Sequence, residues 1–81
     1  MSATERESRI LELLEEATQA PEGSLTQDLV LKDMEGWDSM GMVMFIGLVQ
    51  QYLTVELSVH DLRESATVAE LAARIMDKPA A

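Results

Sequence analysis

The sequence predicts an all-α fold, a small bundle of three main helices plus one short helix with a long first loop. Three observations predict it. Apolar residues recur at helical spacing in three separate segments, residues that cap helix starts stand ahead of them, and Pro or Gly follows where the first and last should stop. The 81 residues fit one domain, and a domain of that size buries only roughly 60% of its unfolded surface, so the core must be small. Residues 1–81 are therefore read as a single domain with flexible ends at 1–3 and 78–81.

The first helix is expected from Thr4 to about Gln19. Ile10, Leu13, Leu14 and Ala17 share one side, and Glu12, Glu15 and Glu16 take the other. Thr4 with Glu7, or Ser2 with Glu5, offers a capping box, and Pro21 with Gly23 ends the helix. The segment from Pro21 to Trp37 carries Leu25, Leu29, Val30 and Leu31, enough apolar anchors to pack a loop onto the core.

A second helix is expected from Asp38 or Ser39 to about Leu53, with Asp38 capping the free amides of its first turn. Met42, Phe45, Ile46, Val49 and Leu53 form its core stripe, while Gln50 and Gln51 mark the side facing away. Met40, Val43, Met44 and Gly47 fall on the glutamine side, and no charge occurs from Ser39 to Val55. After Val55-Glu56-Leu57 a short helical turn beginning at Ser58 is expected to bury Val59 and Leu62. The last helix opens on a Thr67–Glu70 capping box, buries Val68, Leu71, Ala72 and Ile75, and stops at Pro79.

Composition narrows the functional classes. A net charge of −9 with only six Lys and Arg opposes binding to nucleic acid and to anionic membranes, and basic protein surfaces are the better-matched partners. The absence of cysteine removes disulfides, a thiolate nucleophile and Cys-based zinc sites. The charged start Met1-Ser-Ala-Thr-Glu-Arg-Glu-Ser-Arg9 lacks the apolar core of a secretory signal, and no apolar run is long enough to span a bilayer. A cytoplasmic monomer is expected. Asp33, Glu35 and Asp38 lack the spacing and central glycine of a calcium loop and read as a solvated cluster, so no metal is expected.

Gly36-Trp37-Asp38-Ser39-Met40-Gly41 places a hydroxyl in the first turn of a helix, after an acid and before an uncharged stretch. Three roles fit such a serine. It can cap the helix, as Ser and Asp commonly do. It can be a nucleophile, although the strained elbow needs Gly where Trp37 stands, and the single histidine, His60, is expected on another element. Or it can carry a phosphorylated arm, since a phosphodiester there meets the positive end of the helix dipole, an interaction of about 0.3–1 kcal/mol. His60 otherwise reads as a solvated surface residue, and Trp37 as a loop tryptophan that either touches a partner or the arm or packs on its own core.

Over nearly the whole chain the pattern resembles the acyl carrier protein family. Asp38-Ser39-Met40 stands where that family has Asp-Ser-Leu or Asp-Ser-Met, and Thr67-Val68-Ala69-Glu70-Leu71 matches its Thr-Val-x-x-Leu start to the last helix. The resemblance implies an acyl-carrier-like bundle that is not itself an enzyme. It implies that a phosphopantetheinyl transferase attaches 4'-phosphopantetheine from coenzyme A to Ser39, that Asp38 supports the attachment, and that the arm's thiol holds cargo as a thioester. The expected partners beyond the transferase are a loading enzyme and a downstream synthase or transferase.

Two departures direct the reading within the family. Carriers of fatty-acid synthesis usually show several acids along the second helix, and this helix has none after Asp38. Docking is therefore expected on Met40, Val43, Met44 and Gly47 with an acidic rim that includes Glu56 and Asp61. Asp38-Ser39-Met40-Gly41 followed by Val43 also resembles D-alanyl carrier proteins, whereas Glu35-Gly36-Trp37-Asp38 departs from the Gly-Gly-His or Gly-Gly-Asp of peptide-synthesis carriers. A specialised polyketide-like, fatty-acyl or aminoacyl pathway is expected. The rival from another class is an unmodified helical adaptor using the same apolar patch.

Overall fold

A computed structural model describes the backbone of residues 3–78 and the side chains of residues 5–78. Among them four α-helices form, α1 (Ala3–Thr18), α2 (Ser39–Leu53), α3 (Val59–Glu64) and α4 (Val68–Asp77), with a 3-10 turn at Leu31–Asp33 inside the long first connection. The fold is all-helical, as the periodicities predict; its one extended feature among these residues is an isolated bridge between Val30 and Thr67. α1 packs on α2 and α4, and α3 joins α2 to α4.

The core stripe of α1 is the expected one, with Ile10, Leu13, Leu14 and Ala17 buried. Glu15 differs from expectation: it is buried rather than on the solvent side. The chain reverses at Gln19, which takes a left-handed φ of 59°, and folds back so that the Gly23 N–H donates to the Glu15 carboxylate at 2.9 Å. A buried carboxylate with a donor is tolerated where an orphaned one would not be. Helix propensity could not show this, because the donor arrives from eight residues away. Thr4 lies within α1 rather than at its cap, while Ser2 and the proposed stop at Pro79 lie outside the described residues. The expected flexible ends also fall largely outside them; of the described positions, Ala3 opens α1 and Lys78 caps α4.

The long connection is fixed to the bundle at two levels. Leu31 and Met34 are buried, and Leu25 and Leu29 pack against the core. Backbone bonds then tie it to the start of α4: Leu31 N–H to Ala66 C=O at 2.9 Å, Val68 N–H to Leu29 C=O at 3.0 Å, and Ala69 N–H to Gln27 C=O at 2.8 Å. The last two satisfy amides at the start of α4 that have no partner within the helix.

α2 buries Phe45, Val49 and Leu53, with Met42 and Ile46 half-buried beside them and Gln50 and Gln51 exposed. α4 begins with the expected capping box, Glu70 N–H donating to Thr67 Oγ1 at 3.2 Å and Thr67 N–H to Glu70 Oε2 at 3.1 Å. Val68, Leu71, Ala72 and Ile75 are buried as expected. α3 corrects one assignment, since Leu62 is buried but Val59 is exposed. Val55 and Leu57, on the extended approach to α3, are buried instead.

Asp61 locks α3 to α4. Its carboxylate accepts from Ser58 N–H at 3.0 Å in a second capping box and meets Arg74 Nη1 at 3.5 Å and Lys78 Nζ at 3.3 Å. The Ser58 backbone donor, with the Ser58 hydroxyl and Lys78, holds the Asp61 carboxyl below its ordinary value of 3.8. A depressed folded-state pKa means that this stabilisation is present above the unfolded value and lost as pH falls through the folded one. The urea midpoint of wild type should therefore exceed that of Asp61→Asn at neutral pH, and the two should converge as pH drops below 3.8.

Candidate functional site

The start of α2 is built by a cap and two bare glycines. Asp38 adopts an extended conformation at the N-cap, its Oδ1 accepts from Gly41 N–H at 2.9 Å, and its carbonyl accepts from Met42 N–H at 2.9 Å. Gly36, at a φ of +85°, passes so close to α1 that a Cβ there would stand 2.6 Å from the Thr18 carbonyl oxygen. A Cβ on Gly41 would overlap the Gly36 carbonyl oxygen. The C-terminal end of α1, the loop and the first turn of α2 thus stack backbone on backbone, which only glycine permits at both positions. Neither requirement was legible from the sequence, because the contacts are non-local.

Ser39 is the first residue of α2 and is exposed. Its hydroxyl makes no hydrogen bond among the described residues. Since Asp38 already supplies the cap, the serine is not consumed by structure, which answers the plainest of its three readings. The first-turn amides of Ser39 and Met40 also have no partner among the described residues, leaving donors and a positive helix end beside the hydroxyl. His60 lies on α3, its side chain turned to solvent and paired with Glu64 at 3.5 Å. No hydrogen bond connects it to Ser39, so the described residues assemble no serine–histidine nucleophile.

The structure brings together four of the six expected partner contacts. Met40, Val43 and Met44 are exposed to 76%, 63% and 45%, and Gly47 is open, with nothing within 4 Å of a Cβ built there. These methionines do not cover core. They form an exposed apolar strip on a strongly charged chain. Glu56 is exposed beyond the end of α2. Asp61 does not join the strip, because its carboxylate is only 14% exposed and is taken up by Ser58, Arg74 and Lys78. Trp37 packs edge-on to Phe45 at 5.8 Å between ring centroids, so it serves the core beneath the site. No group of acids or His that could hold a metal occurs among the described residues.

An exposed, unengaged serine at a capped helix start, on a rigid backbone and beside an apolar strip, is chemically suited to carry a phosphodiester-linked arm. The comparison with protein families agrees: the family described as phosphopantetheine attachment site matches residues 8–75. The chain belongs to this family, whose members are carrier proteins bearing covalent 4'-phosphopantetheine. No curated protein and no solved structure matches it. Among the described residues no helix is long and apolar enough to cross a membrane.

Proposed function

We propose that this protein is a non-catalytic carrier whose 4'-phosphopantetheine is attached to Ser39, serving a dedicated acyl, polyketide or aminoacyl pathway. The observation that carries the proposal is the Ser39 hydroxyl, exposed and without a hydrogen bond while Asp38 performs the capping. In the attachment, Ser39 Oγ bonds to the phosphorus of coenzyme A that bears the pantetheine. The pyrophosphate bond breaks, adenosine 3',5'-bisphosphate leaves, and the serine proton passes to a base of the transferase. When bound, the arm supplies a thiol that holds cargo as a thioester. Asp38 fixes the first turn that presents the hydroxyl, and the α2 amides favour the phosphodiester charge.

Incubation with coenzyme A and a broad-specificity phosphopantetheinyl transferase tests this by intact mass. Wild type should gain one arm and Ser39→Ala none. An unmodified adaptor, the rival class, would gain nothing in either form.

The uncharged α2 supports docking through Met40, Val43, Met44 and Gly47, with Glu56 at the rim, and a partner set different from that of fatty-acid synthesis. Asp38-Ser39-Met40-Gly41 supports an aminoacyl carrier such as a D-alanyl carrier as the second reading within the class. The proposed setting is cytoplasmic and the proposed state monomeric. Met40→Ala with Met44→Ala should lower turnover by the cognate loading enzyme roughly tenfold or more, since truncation of a few exposed anchors commonly removes over 1 kcal/mol each. Glu56→Lys should act mainly on the association rate and its salt dependence. Kinetics at two salt concentrations separate the two effects.

A further inference from the structure

Most of the charge on this protein is negative, which makes the positions of its few cations informative. Arg9, Arg74 and Lys78 each pair with a carboxylate. Of the other three, Lys32 and Arg63 have no ion pair among the described residues, and both line the same cleft. This cleft, of about 290 Å³, opens between the 3-10 turn, α2 and α3, with Leu31, Trp37, Met42 and Leu62 as its apolar walls. Leu31 and Leu62 are buried, Trp37 and Met42 half-buried, and the two cations exposed.

Two residues of the cleft wall, Trp37 and Met42, lie close to Ser39 in the chain. Met42 stands three residues after the serine, one turn further along the same side of α2, and Trp37 stands two residues before it. From these placements we infer that the cleft takes the cargo end of the arm, and that the cargo it selects is a short acyl group ending in a carboxylate. The inference rests on the attachment of the arm to Ser39. Size sets the length, because the volume lies at the lower edge of the roughly 300–1,000 Å³ typical of small-molecule sites. Charge sets the terminus: a net charge of −9 repels an anion over most of the surface, so a carboxylate is held only where cations are local and unpaired. Apolar walls lead the methylene chain inward while Lys32 and Arg63 meet the carboxylate at the mouth. Exposed pairs of this kind contribute a factor of roughly 1.5 to 5 each, so the selection is a preference of several-fold.

The transferase can load wild type and the Lys32→Gln/Arg63→Gln double variant from glutaryl- and valeryl-coenzyme A, two cargoes of equal carbon count that differ in the terminal carboxylate. Intact mass reports attachment, emission from Trp37, the only tryptophan, reports occupancy of the cleft, and hydroxylamine cleavage reports shielding of the thioester. In wild type the glutaryl form should shift the Trp37 emission and be cleaved several-fold more slowly than the valeryl form. The double variant should erase that difference. Equal behaviour of the two cargoes on wild type overturns the inference. So does an equal effect of the double variant on both forms, which assigns the cations to the phosphodiester of the arm. A missing mass gain would instead overturn the attachment to Ser39, and this inference with it.

Discussion

Phe45→Ala should cost about 3–5 kcal/mol, the typical loss for truncating a buried aromatic. Phe45 is fully buried at the centre of α2 and is the edge-on partner of Trp37 at 5.8 Å. Its loss would leave a cavity under the indole as well as in the bundle, and the core of so short a chain has few residues with which to collapse into it. Domains have total stabilities of about 5–15 kcal/mol, so the variant should sit near the edge of folding. In a domain of 60–100 residues 1 kcal/mol moves the melting midpoint by about 4–8 °C, which predicts a fall of at least roughly 12 °C. Thermal unfolding followed by circular dichroism measures it. Retention of the wild-type midpoint would mean that α2 does not depend on this core.

Gly41→Ala should destabilise the protein by about 1–3 kcal/mol and slow addition of the arm, even though alanine is the better helix former. The added Cβ would overlap the Gly36 carbonyl oxygen, a backbone atom that cannot swing aside as a side-chain tip can. Relief requires the first turn of α2 to move from the loop or Gly36 to move into Thr18. Either motion disturbs the Asp38–Gly41 bond that sets the base of Ser39. Gly47→Ala is the matched control. It lies on the same helix with nothing within 4 Å of its Cβ, so it should raise stability by about 0.5–1 kcal/mol. Denaturant unfolding of the two variants should give opposite signs, and the arm-transfer rate should fall for Gly41→Ala.

What could be read in the sequence was what local physics determines. The Asp38 and Thr67 caps and the inward stripes of α1, α2 and α4 depend on residues within a few positions of one another, and the structure places them as expected. The misplaced residues depend on distant chain. Glu15 is buried because a loop returns to donate to it, and Val59 is exposed while Val55 and Leu57, outside the helix, are buried. The cleft at Lys32 and Arg63 joins two segments that no local pattern connects. The serine itself was ambiguous in sequence. Its identity as a free hydroxyl follows from a hydrogen-bond assignment, Asp38 to Gly41, that only the geometry resolves.

Mapping the modified residue tests the central claim most directly. Trypsin cutting after Lys32 and Arg63 yields one peptide, 33–63, whose hydroxyl residues are Ser39, Tyr52, Thr54 and Ser58. After treatment with coenzyme A and transferase, fragmentation of this peptide should place the whole added mass on Ser39. Modification of another residue, or none on this peptide, would contradict the assignment of Ser39 as the attachment point.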